Sequence, residues 1–349
     1  MTSAMDLLDD LDDVLGENAG ASLIRGWLDT GIPELNKSLC GKHEGGFPMG
    51  RVLEIFGQES SGKTFIATMA MISVQRMNGI AFFADHERSF EPNFAEHLGL
   101  DLDRSVFRHM KPKTLEDDID ALSMVARKVR EKLPIEIPCV WVIDSIASMI
   151  PSEVLYKKDA RGKATEDFKD SADYNMRDQL ALARATSATF KMLKMIAEDY
   201  NFCIIMLNQT RTDPTVIHGN PTTTPGGKTP AFVADIRLSL GKKMIKDDKT
   251  KETLGFEVEA KTVKNKIFRP DKKAKWTVMF GEEGGVFIDT VRTNVEYAIR
   301  KGLIEQSGAR VKWKGKSLYK SQLVEWLKTK SEDYGELIDL ILDGKPEEE

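Results

Sequence analysis

The octapeptide Gly57-Gln58-Glu59-Ser60-Ser61-Gly62-Lys63-Thr64 constrains this chain more than any other stretch, because it matches G-x-x-x-x-G-K-[ST] at every fixed position. Its flanks have the texture that such a turn requires. Arg51-Val52-Leu53-Glu54-Ile55-Phe56 is β-branched and aromatic and predicts a buried strand, and Phe65 to Met71 predicts the start of a helix. Between them, Gly57 and Gly62 let the backbone curl until successive N–H groups face one anion, with a helix N-terminus behind them. A loop of this kind cradles phosphate. Lys63 is placed to reach the β- and γ-phosphates of a nucleotide, and the Thr64 hydroxyl to hold Mg²⁺.

At 349 residues the chain is long enough for one large α/β domain and a smaller companion. Its net charge of −5 does not announce a nucleic-acid binder, so contact with a polyanion must come from a local basic surface. Cys40, Cys139 and Cys203 lie far apart, without metal spacing or a disulfide framework, and read as thiols in a reducing cytosol. No apolar run approaches the length of a membrane span, and the first residues are acidic where a signal peptide is basic. We therefore expect a cytoplasmic protein with no membrane partner.

Three further apolar runs predict core strands, each with polar residues at its end: Gly79 to Asp85 before His86-Glu87, Cys139 to Asp144 before Ser145, and Cys203 to Leu207 before Asn208-Gln209. Open α/β sheets gather ligands at the carboxyl ends of their strands. Asp144, at the tip of a buried strand near a phosphate loop, is the expected Mg²⁺-side acid, bound directly or through water. Ala231 to Leu240 predicts another strand, followed by a β-rich region in which lysines outnumber acidic neighbours from Lys242 to Lys275. Helices are predicted over Glu91–Gly99, which carries Phe94, over Leu115–Lys132, and as one long amphipathic helix presenting Leu182, Phe190, Leu193, Ile196 and Ala197. Tyr156 to Asp173 is densely charged without apolar periodicity and predicts a mobile loop. Thr210 to Pro230, rich in Thr, Pro and Gly, predicts a functional loop.

The two ends differ in texture. Leu7, Leu8, Leu11, Val14 and Leu15 make a narrow apolar stripe in the acidic segment 1–22, which is either a frayed tail or a helix that docks on a neighbouring subunit. Residues 289–349 read as a small domain of short helices with an acidic tail. Its basic hairpin, Arg310, Lys312, Trp313, Lys314 and Lys316, is either a duplex-capturing surface or a solvated face.

Several strings, in order along the chain, give this sequence a close resemblance to the RecA-type recombinases of bacteria and phages: GGFPMGRVLEIFGQESSGKT, AFFADHE, WVIDS, IIMLNQTR, HGNPTTTPGG and VKNKIFRP. The resemblance implies an α/β core, 23–288, of RecA-type P-loop ATPase fold, with a mostly parallel sheet flanked by helices. It implies ATP and Mg²⁺ as cofactors. Glu87 matches the family's catalytic carboxylate, Phe94 the aromatic that stacks on adenine, and Gln209 the glutamine that senses the γ-phosphate. Arg211, Gly219, Asn220, Thr222, Thr223, Thr224, Gly226 and Gly227 fall in the second DNA-binding loop. Lys264 and Lys266 match lysines that reach the ATP of the adjacent subunit. This sequence departs from the family in its charged 156–173 stretch, in His218 beside Gly219-Asn220-Pro221, and in its short acidic N-terminus.

The resemblance thus implies a DNA-dependent ATPase that forms a helical filament on single-stranded DNA and exchanges it with a homologous duplex. A ring-forming DNA motor of the same fold, or an ATP-regulated filament protein without strand exchange, stand as alternatives.

Overall fold

Six residues from Cys139 to Asp144 are all buried, which places them in a sheet covered on both faces. The structure, a computed structural model, describes residues 23–158, 161, 164–169, 180–212, 222–247, 249–281 and 285–343. Segment 1–22 and the acidic tail, with the docking helix and terminal glutamates considered above, lie outside the described residues.

The central sheet has nine strands. In chain order they are β1 (Val52–Gly57), β2 (Ile80–Asp85), β3 (Phe107–Met110), β4 (Cys139–Asp144), β5 (Phe202–Gln209), β6 (Ile236–Lys246), β7 (Thr253–Asn265), β8 (Lys273–Phe280) and β9 (Val286–Ile288). Across the sheet the order is β9-β8-β7-β6-β1-β5-β4-β2-β3. The strands from β6 to β3 pair in parallel, and β7, β8 and β9 continue the sheet antiparallel. The expected RecA-type α/β core with a mostly parallel sheet is therefore present.

Side chains alternate between the faces, as a strand's period of two requires. Val140 and Val142 pack with Ile66, Ala70 and Val74 of helix α1 (Lys63–Arg76). Trp141 and Ile143 pack on the other face with Leu115, Ile119 and Leu122 of α2 (Leu115–Arg130). Trp141 is fully buried, and its indole N–H donates to Asp118 at 3.1 Å, so its polar atom is satisfied inside the core. Helix α2 starts on a capping box between Thr114 and Asp117, with acidic residues in its first turn and basic ones in its last.

Three expectations need correction. The long helix near 182–197 is two, α3 (Ala181–Thr189) and α4 (Lys191–Asp199), joined at Phe190. There the Leu193 N–H reaches only three residues back to the Phe190 carbonyl, a tight turn that accompanies full burial of the Phe190 ring. The stretch expected to be a mobile loop contains a hairpin, Tyr156–Lys158 paired with Ala164–Phe168 and closed by stacked Tyr156 and Phe168 rings. A hairpin held by one cross-strand aromatic pair leaves no apolar alternation to read. Finally, Ala231 does not begin a strand. Residues Thr229–Val233 form a short helix, α5, favoured by Pro230 in its first turn, and β6 starts at Ile236, opposite Leu53.

Helices α6 (Thr290–Arg300), α7 (Lys320–Thr329) and α8 (Ser331–Asp343) enclose a separate apolar cluster with the hairpin Arg310–Trp313/Lys316–Tyr319. Trp313 is 8% exposed and belongs to that cluster, so it does not stand among the lysines on a DNA-facing surface. Lys312 pairs with Glu305, and Lys314 with Asp333 and Glu336. Elsewhere Lys261, Lys273 and Lys275 pair with Asp271, Glu259 and Glu257, which neutralises part of the basic β-region. Among the described residues, no helix is long and apolar enough to cross a membrane.

Candidate active site

Strand register gathers the site. Gly57 is level with Gln209, and Asp85 with Asp144, so the carboxyl ends of β1, β5, β4 and β2 stand side by side. Residues 57–64 curl from the tip of β1 into α1, with Gly62 at the helix N-cap. A Cβ on Gly57 would stand 2.5 Å from the Leu240 carbonyl oxygen, a main-chain atom that cannot give way freely, and 2.7 Å from Ser61 Oγ. Gly57→Ala is therefore expected to destabilise the protein by about 1–3 kcal/mol, the cost of overpacking, and to weaken nucleotide binding. Thermal unfolding with and without nucleotide checks this; an unchanged midpoint would show that the loop can relax around the methyl group.

Lys63 is 8% exposed, and its ammonium donates to the Gly57 and Gln58 carbonyls at 3.3 and 3.0 Å. Burial holds its pKa below the usual lysine value, opposed by the carboxylates of Asp144, Glu87 and Glu59. The Ser61 hydroxyl is buried and, among the described residues, has no hydrogen-bond partner. An orphaned hydroxyl, a lysine held only by carbonyls and the tight approach at Gly57 are what a phosphate-binding loop leaves for its ligand. A cavity of about 450 Å³ opens here, lined by the loop, Glu87, Phe94, Asp144 and Gln209.

Thr64 Oγ1 donates to Asp144 Oδ2 at 2.8 Å. Asp144 is 3% exposed, and burial raises its pKa to about 6; the Thr64 hydrogen bond opposes the shift and the Glu87 charge adds to it. Among the described residues, no cluster of three or more His, Cys, Asp or Glu forms a metal cage. One carboxylate and one hydroxyl suit a cation that keeps water and takes its other oxygens from phosphate, the habit of Mg²⁺.

Glu87 Oε1 accepts hydrogen bonds from Ser145 Oγ at 2.5 Å and from Gln209 Nε2 at 3.0 Å. The N–H groups of His86 and Glu87 both donate to the Asp144 carbonyl, which fixes the turn after β2 against β4. Phe94 lies edge-on to Phe65 with ring centroids 6.4 Å apart, and the cavity is also lined by Lys242, Phe256 and Phe280. Ser145, Phe256 and Phe280 were not singled out in the sequence, and Lys242 was read only as one of the basic β-region lysines. Ser145 had a signal, its place after a strand-tip acid; Lys242 reaches the cavity from β6, beside β1, and Phe256 and Phe280 reach it from the antiparallel strands β7 and β8.

The second loop begins where β5 ends. The backbones of Arg211–Thr212 and Thr222–Thr223 pair antiparallel, and Gly219 and Asn220 lie outside the described residues. Asn208 Nδ2 donates to the Pro225 carbonyl at 3.1 Å and to the buried Glu54 at 3.0 Å, and Thr186 Oγ1 donates to the Gly226 carbonyl at 2.8 Å. Thr223, Thr224 and Gly227 line a second cavity with Lys228 and Arg237. Arg237 donates to Glu54 at 2.6 Å and stacks on Phe56, a further pairing not anticipated from sequence.

Lys264 and Lys266 stand apart from this edge. Lys264 pairs in register with Arg237, itself opposite Glu54, and the Lys266 N–H donates to the Asp235 carbonyl beside Val52. Lys266 lies at the level of Val52, where β1 starts, five strand steps of about 3.3 Å or about 17 Å from Gly57, and Lys264 lies level with Glu54, three steps or about 10 Å from it.

Comparison with known proteins agrees with this architecture. A family model described as the RecA N-terminal domain matches residues 27–285. Protein RecA of Heliobacterium modesticaldum is 32% identical over 304 residues, covering 87% of this chain and 78% of that protein. Protein RecA of Francisella philomiragia is 33% identical over 275 residues, covering 78% and 68%. Protein RecA of Francisella tularensis subsp. novicida is 32% identical over 302 residues, covering 86% and 76%. With that match running through the phosphate loop and both strand-tip acids, the chain belongs to the RecA family.

Proposed function

We propose that this protein is an ATP-dependent recombinase that coats single-stranded DNA as a helical filament and exchanges it with a homologous duplex. Residues 23–288 form its ATPase and DNA-binding core and 289–349 its small C-terminal domain. The observation that carries the reading is the separation just described. One end of β1 holds Lys63, Thr64, Asp144, Glu87 and Gln209, while Lys266 sits at the other end and Lys264 opposite the middle of the strand, both outside the cavity of their own subunit, which supports a role toward a neighbouring subunit's nucleotide.

The residues divide the work. Loop amides, Lys63 and the Ser61 hydroxyl hold the phosphates, with Phe94 and Phe280 beside the base. Thr64 and Asp144 would hold Mg²⁺, whose charge would offset that of the bound phosphates. Because both hydrogen bonds to Glu87 fall on Oε1, Oε2 is left to orient water and accept its proton as the water oxygen bonds to the γ-phosphorus and the bond to the ADP oxygen breaks. Gln209 joins Glu87 to the second loop, so phosphate occupancy and DNA contact share one strand end. Lys264 and Lys266 of the adjoining subunit would stabilise charge developing on the γ-phosphate, as an arginine finger does.

Two measurements test this. A strand-exchange assay with ATP and homologous DNA should yield joint molecules; closed hexamers on DNA without exchange would favour a ring-forming motor. In mixing experiments, Lys63→Ala should lose most ATP binding, and Lys266→Ala should bind ATP but hydrolyse it poorly on DNA. Mixed filaments should recover part of the turnover, because each variant supplies one intact half of a shared site. No recovery at any ratio would exclude action across the interface.

A further inference from the structure

Where the chain passes from α5 into β6, Asp235 lies among lysines from two different elements. Its main chain is clamped: its N–H donates to the Val52 carbonyl at 2.7 Å, and its carbonyl accepts the Lys266 N–H at 3.0 Å. Its carboxylate, 10% exposed, has one oxygen within 3.4 Å of the Val52 N–H. The other oxygen accepts Lys194 Nζ of α4 at 2.7 Å, and Lys266 Nζ stands 3.9 Å from that same oxygen. Lys264, two residues before Lys266, donates to the Ala231 and Phe232 carbonyls at the end of α5. A cavity of about 430 Å³ opens beside the group, lined by Arg51, Lys194, Glu198, Asp235 and Lys266.

We propose that Asp235 and Lys194 are positioning residues for Lys266: Asp235 holds its ammonium until a neighbouring subunit presents a phosphate, and Lys194 keeps the carboxylate paired when Lys266 leaves. This rests on the reading that Lys266 faces the adjacent subunit's nucleotide. The asymmetry of the contacts sets the direction. Lys194 makes the short bond, while Lys266, 53% exposed, makes the long one and can depart. A nearly buried carboxylate left without a cation is costly, so without Lys194 it would bind Lys266 in earnest and compete with the incoming phosphate. The Lys194 ammonium also holds Lys266 below the usual lysine pKa range, as two cations sharing one counter-ion should.

The test is DNA-stimulated ATP turnover of the full chain, with nucleotide affinity and thermal unfolding measured beside it. Lys194→Met should lower turnover by about tenfold with ATP affinity unchanged, and Lys194→Arg, which keeps the pair, should stay near wild type. Adding Asp235→Asn to Lys194→Met removes the competitor, so the double variant should return to within about twofold of Asp235→Asn alone, a strongly non-additive cycle. Wild-type turnover in Lys194→Met would overturn the proposal, as would additive losses in the double variant, which would mean that Lys194 acts on phosphate itself or only on folding. Lys266→Ala separates the two levels. If it hydrolyses normally, the reading across subunits fails and takes the proposal with it. If it is impaired while Lys194→Met is not, the proposal alone fails.

Discussion

Replacing Glu87 by Gln is expected to lower ATP turnover by at least about 100-fold, the lower range for loss of a positioned general base, while ATP and DNA binding persist. The substitution changes little in shape. An amide oxygen can still accept the bonds from Ser145 and Gln209 that now fall on Oε1. What reverses is the other terminus, where an NH₂ donor would face the water that a carboxylate oxygen had accepted from. The change also removes a charge that raises the Asp144 pKa and supports the Lys63 ammonium. Nucleotide affinity should therefore shift only modestly, and mostly through Lys63. Binding and single-turnover hydrolysis, measured separately, decide the matter. Turnover within a few-fold of wild type would remove Glu87 from the chemistry.

Much of this site was legible because its constraints are local. Gly57 to Thr64 must follow a strand and start a helix, and the octapeptide and its flanks say so together. Strands buried on both faces appear as continuous apolar runs, and those ending at Asp144 and at Asn208-Gln209 announce the edge where ligands gather. What was not legible depends on register between distant segments. The bond from Ser145 to Glu87 joins residues 58 positions apart, and the pair between Arg237 and Glu54 spans 183. Lys242, Phe256 and Phe280 reach the candidate nucleotide cavity only because β6 runs parallel beside β1 and β7 and β8 extend the sheet antiparallel from it. The break at Phe190 is invisible for a related reason: both helix fragments keep the same apolar face, so the periodicity runs through the turn that separates them. Lys264 and Lys266 read as basic residues on a strand. Only the pairing of β7 with β6, and of β6 with β1, puts Lys266 at the far end of β1 from the phosphate loop and Lys264 opposite its middle.

Asp144→Asn should act in opposite directions on stability and on function. The Asp144 carboxyl has a folded pKa of about 6 against an ordinary value of 3.8, chiefly because burial disfavours its charge. Between those values the native state binds more protons than the unfolded state, so stability falls as pH rises through the window. The stabilising share is complete below the ordinary value and lost above about pH 6. At neutral pH the nucleotide-free protein therefore carries an ionised carboxylate at a cost on the order of 2–3 kcal/mol. A neutral amide avoids that cost and can still accept the Thr64 hydroxyl. The variant should unfold at a higher temperature than wild type at pH 7 to 8, and the gap should close as pH approaches 4. With Mg²⁺ and ATP present the ranking should reverse, because wild type gains stability by mass action while the variant has lost the carboxylate that draws the cation. Its turnover should fall by about 100-fold or more, the range for a charge-stabilising group in the transition state. Thermal unfolding from pH 4 to 8, with and without Mg²⁺-nucleotide, reads both effects. Equal stability of the two proteins at pH 8 would refute the buried-charge account, and equal protection by Mg²⁺-nucleotide would refute the assignment of Asp144 to the cation.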